Sequence, residues 1–147
     1  MRASVDVNTL HQRFRDRVDF LFVYIREAHP TDGWVIDGSA YELKDPETAE
    51  QRHEAARKCL ASVEFDFPTV VDGLDDAVNV AWAAWPERLY LVDTAGIIRY
   101  AGLQGPWGFS PLRSGGEEWT VNPLTETKPS LEAFLEEFLE GRSGAIQ

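Results

Sequence analysis

Val18-Asp19-Phe20-Leu21-Phe22-Val23-Tyr24-Ile25 is a near-continuous run of apolar and β-favouring residues. A run without polar alternation predicts a strand buried on both faces, the mark of a central strand in a parallel or mixed sheet. It passes into Arg26-Glu27-Ala28-His29-Pro30-Thr31-Asp32-Gly33-Trp34, where charge, proline and glycine arrive together. The strand therefore opens into a loop at its C-terminal end, the edge where open α/β sheets build their sites.

Working outward, Val7, Leu10, His11 and Phe14 stand at i, i+3, i+4 and i+7 and predict an amphipathic helix over 5–16, with Asp6 and Asn8 as caps. Asp45-Pro46-Glu47 reads as a helix start, with a cap, a first-position proline and a first-turn acid. That helix is expected to reach Ser62 with Ala49, His53, Ala56 and Leu60 on one face. Residues 67–72 form a short strand, and 74–85 a helix of small residues on which Trp82 and Trp85 share a face and pack under the sheet. Residues 88–93 and 97–102 make a hairpin about Thr94-Ala95-Gly96. A loop insertion is expected at about 103–128 and a C-terminal helix at about 129–141, striped by Leu131, Phe134, Leu135, Phe138 and Leu139 and stopped by Gly141.

The order α-β-α-β-α-β-β-α gives the fold class α/β, a thioredoxin-like three-layer sandwich with a mixed sheet, in one domain over 1–147. Such a sheet wants a first strand and a redox turn, and neither is written before the helix at residue 5. A strand buried on both faces then wants a neighbour, and an open sheet edge would allow a homodimer.

Composition removes several function classes. The 147 residues carry 14 Lys+Arg against 25 Asp+Glu, a net charge of −11. Phosphate binding needs clustered bases, so no nucleic-acid partner is expected, and anionic membrane surfaces would repel the chain. No apolar run has the length of a membrane span, and the first residues lack a signal peptide's apolar core, so the expected location is cytoplasmic. The lone Cys59 excludes an internal disulfide, a CxxC pair and a thiolate zinc site. Phosphate loops, dinucleotide fingerprints and a Ser-His-Asp order are absent.

Several segments together resemble one family. Tyr24-Ile25-Arg26-Glu27-Ala28-His29-Pro30-Thr31-Asp32-Gly33-Trp34 is similar to the strand and loop of iodothyronine deiodinases, and this stretch is specific. Glu87-Arg88-Leu89-Tyr90-Leu91 with Gly96-Ile97-Ile98-Arg99-Tyr100 resembles their later hairpin. Gly105-Pro106-Trp107-Gly108-Phe109 resembles the segment after it. The resemblance covers roughly residues 7–109. It implies a thioredoxin-type fold and reductive removal of iodine from an aromatic ring by a selenocysteine or cysteine, with a thiol reductant as electron donor and no other cofactor or metal. It implies that His29 assists proton transfer while Glu27 and Tyr24 hold it in place.

Three departures accompany it. The nucleophile is not among these residues. A second histidine of the family falls at Pro46, and the basic residue before the Gly-Pro pair falls at Gln104; both positions handle the substrate's ring substituents or carboxylate. Counting back without gaps from Asp19, Met1 lands on the methionine just after the family's selenocysteine-Pro-Pro-Phe. The expectation is a chain truncated just after that position, the remainder of a longer selenoprotein or cysteine homologue.

Residue by residue, the plainer readings stand beside these. By type alone, His29 is a loop histidine bound to local backbone, Glu27 a solvated acid and Tyr24 a core aromatic with its hydroxyl at the sheet edge. Trp34 reads equally as the wall of an aromatic-substrate cleft, with Gln104 as a second substrate-binding position, or as a packing lid. Cys59, beside Arg57 and Lys58, is a small core residue rather than a redox centre. His53 and Glu54 diverge on their helix, and Glu117-Glu118 and Glu136-Glu137 are solvated faces. Pro86 stands one residue off the cis-proline position of the fold type, so no cis bond is expected there. The expected function is a deiodinase-like thiol or selenol oxidoreductase acting on a small aromatic or oxidant substrate. The alternatives are a catalytically inactive thioredoxin-like binding module using Trp34, Trp107 and Phe109, and a peroxiredoxin-like thiol peroxidase.

Overall fold

The computed structural model describes residues 2–35, 43–106, 108–113 and 129–141. Residues 3–86 and 87–147 form two compact units.

The first unit contains α1 (Arg2–Phe14), β1 (Phe22–Tyr24), α2 (Ala49–Val63), β2 (Thr69–Val71) and α3 (Ala77–Trp82). The stripe expected on α1 is the buried one: Leu10 is fully buried and Phe14 nearly so. The His11 ring lies against two aromatics, its centroid 5.2 Å from Phe20 and 5.0 Å from Phe67, and its Nδ1 is 2.7 Å from Asp66 Oδ1. Asn8 donates to the carbonyls of Val63 and Glu64, which end α2 with no intrahelical partner of their own, and Gln12 donates to Asp66.

The 18–25 run is shorter as a strand than expected. β1 pairs in parallel with β2, Phe22 opposite Thr69 and Tyr24 opposite Val71, and among the described residues it has no other partner. The 18–25 run is not buried on both faces: Leu21, just before β1, is 59% exposed, and within β1 only Tyr24 is buried. Phe20 and Phe22 instead turn to Phe67 and Phe65, with centroids 5.7 and 5.1 Å apart, so side-chain alternation is real although both kinds of position are apolar. Tyr24, Ala55 and Ala56 form a buried cluster, with Phe22, Leu43, Cys59 and Val71 packed around it.

α2 begins later than Asp45-Pro46 suggests. Thr48 is the cap, joined to Gln51 in a capping box that satisfies a backbone donor at each end. Its inner face is also rotated from the expected one: Arg52, Ala55 and Ala56 are buried, whereas Ala49 and His53 are exposed. Arg52, Ala55, Ala56 and Cys59 stand at i, i+3, i+4 and i+7. The stripe was hidden because its first member is an arginine.

α3 is short and ends at Trp82, so Trp82 and Trp85 do not share a helical face, and Trp82 is 38% exposed. Its first turn is held from outside. The buried carboxylate of Asp72, just past β2, accepts from the backbone N–H groups of Gly73, Val78 and Asn79. The Trp85–Pro86 bond is cis, against expectation; the two isomers of an X–Pro bond differ so little that surroundings decide, and sequence register does not report them.

The second unit contains β3 (Tyr90–Val92), β4 (Ile98–Ala101) and α4 (Leu131–Leu139). β3 and β4 form the expected antiparallel hairpin, turned by Gly96 at φ +80°. Asp93 clasps that turn, accepting from the N–H groups of Ala95 and Ile97 and from Arg99. The loop after β4 closes through Leu103 N–H to the Gly108 carbonyl. A Cβ at Gly108 would lie 2.2 Å from the Gln104 carbonyl oxygen, so only glycine fits. α4 is capped by Ser130 and buries Leu131 and Leu135 as expected. Of the positions named from sequence, Trp107, Glu117 and Glu118 lie outside the described residues.

Asp72→Ala is expected to cost about 2–3 kcal/mol, because three backbone donors lose a charged acceptor at once. Thr48→Ala is expected to cost about 1 kcal/mol. Urea-unfolding midpoints of the two variants check this order.

Candidate functional site

The site lies in the first unit, in the loop that follows β1. Tyr24 is the last residue of β1 and is 5% exposed, packed on Ala55 and Ala56. Strand geometry sends its side chain inward, and its hydroxyl donates a hydrogen bond to Glu27 Oε1. The plainer reading of Tyr24 as core and the sharper one as a member of a polar pair are thus both satisfied by one side chain.

Burial raises the Glu27 carboxyl above its ordinary 4.5; the Tyr24 hydrogen bond works against this, the charge of Asp45 adds to it and His29 again opposes. His29 stands two residues on, half-buried. Its Nδ1 lies 3.1 Å from the Trp34 carbonyl oxygen. A carbonyl only accepts, so Nδ1 carries the hydrogen in that contact and Nε2 is left with the lone pair when the ring is neutral. The Trp34 indole meets the imidazole edge-on, with centroids 4.9 Å apart. His29 is therefore oriented by the backbone and ring of Trp34, while Glu27 is engaged by Tyr24 and makes no hydrogen bond to His29.

Glu27 and Trp34, but not Tyr24 or His29, line a cleft of about 460 Å³ together with Arg26, Ala28, Pro30, Asp32, Gly33, Asp45 and Trp85. Trp34 is 67% exposed, so it walls the cleft and does not lid a core. Two of the lining residues, Arg26 and Asp45, belong to an ion network that runs on to Asp76 and Arg52. Arg26 Nη2 is 2.8 Å from Asp45 Oδ2, and its Nη1 is 3.5 Å from Asp76 Oδ2. Asp76 Oδ1 is 2.7 Å from Nη1 of the buried Arg52, which also donates to the Gly73 carbonyl. Asp32 Oδ1 accepts from the Asp45 backbone N–H at 3.0 Å, and the Thr31 N–H bonds the Leu43 carbonyl, closing the base of the loop.

Tyr24, Glu27, His29 and Trp34 are thus brought together. Gln104 belongs to the second unit, exposed in the loop after β4. Pro46 is half-buried ahead of α2. Cys59 packs against the Tyr24 cluster, as a small core residue does. His53 is exposed, its Nδ1 2.7 Å from the Ala49 carbonyl, and Glu54 pairs with Arg57. Glu136 pairs with Arg113 at 2.6 Å. No group of three potential metal ligands exists among the described residues, and no described helix is long and apolar enough to cross a membrane. Sequence reasoning missed Arg26, Asp32, Asp45 and Trp85 as lining residues. Asp45 is 19 positions from Arg26 and carries no local signal, although an arginine directly after a buried strand invites a search for its acid.

The cleft lies at the C-terminal end of β1 in a βαβ unit, the edge where α/β proteins place small-molecule sites. Comparison with known proteins gives the family. The iodothyronine deiodinase family model matches residues 4–114. The chain is 40% identical over 109 residues to the thyroxine 5-deiodinase of Sparus aurata, covering 73% of this chain and 40% of that one. It is 40% identical over 103 residues to that of Gallus gallus, covering 69% and 39%. It is 34% identical over 106 residues to the type I iodothyronine deiodinase of Xenopus laevis, covering 72% and 41%. The chain belongs to the iodothyronine deiodinase family. It spans about two fifths of the length of the curated relatives it matches.

A carboxyl whose pKa is higher folded than unfolded contributes stability that is complete below the unfolded pKa and is lost as pH rises through the folded one. Glu27→Gln cannot titrate and can still accept from Tyr24. Its Tm relative to the parent is therefore expected to rise as pH goes from about 4 to about 7; a Tm difference constant over that range contradicts the buried-carboxyl assignment.

Proposed function

We propose that this chain carries the acid–base side of a deiodinase-type site on a thioredoxin-like fold, and that the reaction served is thiol-dependent reductive dehalogenation of an aromatic ring. The family match supports the reaction class, and the βαβ unit followed by a hairpin and a terminal helix supports the fold. The observation that carries the reading is the Tyr24–Glu27–His29–Trp34 cluster, of which Glu27 and Trp34 line the cleft and His29 is held against Trp34, because the reaction must deliver one proton to a ring carbon beside an aromatic wall.

The atoms balance as follows. A selenolate or thiolate takes the halogen from the ring carbon, and the carbon–halogen electron pair stays on carbon. The carbon then takes a proton. Two equivalents of thiol release halide, restore the nucleophile and leave as a disulfide. His29 is the proposed proton donor, through Nε2 when the ring is protonated. Trp34 fixes its orientation and Tyr24 holds Glu27, whose charge state sets the local field. Cys59 is not the nucleophile: it sits in the core of α2, packed on the Tyr24 cluster.

Two measurements test this. The 147-residue chain with dithiothreitol is expected to release no iodide from an iodinated phenol; turnover by this chain, abolished in Cys59→Ser, would overturn the assignment of Cys59. Quenching of indole fluorescence by an iodinated phenol, with no iodide released when an external selenol is supplied, would favour the inactive binding module, for which the exposed Trp34 is suited.

A further inference from the structure

His29 Nδ1 and its acceptor, the Trp34 carbonyl, belong to residues five apart and stand 3.1 Å from each other, so the chain between them doubles back. It does so in a turn over Pro30-Thr31-Asp32-Gly33, closed by the Gly33 N–H on the Pro30 carbonyl at 3.0 Å. A Cβ at Gly33 would lie 2.9 Å from Pro30 Cγ, so the turn is tight. The turn alone does not fix the direction in which the chain leaves it. Two bridges to the segment ahead of α2 do. The Thr31 N–H reaches the Leu43 carbonyl at 2.7 Å, and Asp32 Oδ1 accepts from the Asp45 N–H at 3.0 Å. Asp45 is held in turn, its Oδ2 2.8 Å from Arg26 Nη2. Arg26 and His29 leave the end of β1 three residues apart. The contacts therefore close a ring that runs from Arg26 through Asp45, Asp32 and Trp34 to His29, and Asp32 is the bridge nearest the Trp34 carbonyl.

We propose that Asp32 is a positioning residue that selects the tautomer of His29. Its clasp on the Asp45 N–H aims the Trp34 carbonyl at Nδ1. A carbonyl accepts and cannot donate, and a neutral imidazole has one N–H, so the hydrogen is drawn to Nδ1 and the lone pair is left at Nε2. Without the clasp the carbonyl is no longer held at Nδ1. The hydrogen is then shared between the two nitrogens, and Nε2 is not reserved for an exchanged proton. Asp32 bonds neither ring nitrogen and acts through Trp34. The inference rests on the proposed function only for what Nε2 does with its lone pair.

Long-range proton–nitrogen NMR spectra of the nitrogen-labelled 147-residue protein, taken at about pH 9 with imidazole rings neutral, read the tautomer directly. The His29 signals are those missing from His29→Gln. The parent is expected to show an N–H nitrogen at Nδ1 and a bare nitrogen at Nε2. Asp32→Ala is expected to lose that distinction, both nitrogens moving to averaged positions. Asp32→Asn keeps an acceptor for the Asp45 N–H and is expected to keep the parental pattern. Thr48→Ala weakens the start of α2 without touching this ring of contacts, and is expected to keep it too, so lowered stability alone does not mimic the effect. If Asp32→Ala does not fold, Asp32→Ser, whose oxygen stops a bond short of the Asp45 N–H, takes its place with the same expectation. A hydrogen on Nε2 in the parent, the parental pattern kept in Asp32→Ala, or that pattern lost in Asp32→Asn or Thr48→Ala would each overturn the inference. No catalytic step enters this measurement. The expected tautomers together with parental turnover in His29→Ala would remove the proposed proton donor and leave the selection of the tautomer standing.

Discussion

Asp76 is shared by two arginines, and the arrangement of the first unit depends on that sharing. Arg52, 4% exposed on the inner face of α2, reaches the loop after β2 through Gly73 and Asp76. Arg26, from the loop after β1, takes the other oxygen of Asp76 and also holds Asp45 ahead of α2. Four chain segments are tied by two guanidinium groups. A buried arginine is tolerable only when its acceptors are fixed, so the same ions that repay its desolvation also set the distance between the loops that border the cleft. Asp72 completes the frame by holding the first turn of α3, the helix that Asp76 immediately precedes.

On this frame the functional side chains inherit their positions from the end of β1. Tyr24 is fixed because it belongs to the core, and Glu27 is fixed because Tyr24 holds it. His29 is fixed separately, by the backbone and ring of Trp34. The imidazole's orientation therefore does not depend on whether Glu27 is protonated.

Much of this was legible in the sequence. The stripe of α1, the hairpin with Gly96 at its turn and the stripe of α4 all follow from periodicity and turn chemistry. The four clustered residues stand within one stretch, Tyr24 to Trp34, whose likeness to the deiodinase loop marks them together. What escaped was non-local. The inner face of α2 was misread because Arg52, a residue normally solvated, is its buried member. The start of α2 was misread because the Thr48–Gln51 capping box sets it three residues after Asp45, whose carboxylate turns to Arg26. The Asp72 clasp was invisible because its donors lie up to seven residues away, beyond the reach of a capping pattern. The 18–25 run was read as doubly buried because alternation is silent when both kinds of position are apolar, and the aromatic pairing of Phe20 and Phe22 separates them only in three dimensions.

The most direct test of His29 as proton donor is iodide release, with dithiothreitol as reductant, by the protein translated from its whole reading frame with any in-frame UGA read as selenocysteine. The parent is expected to release iodide from an iodinated phenol, and His29→Ala is expected to lower kcat about a hundredfold while its Tm stays near the parent's. Parental turnover in His29→Ala, or no release from the parent, would contradict the assignment.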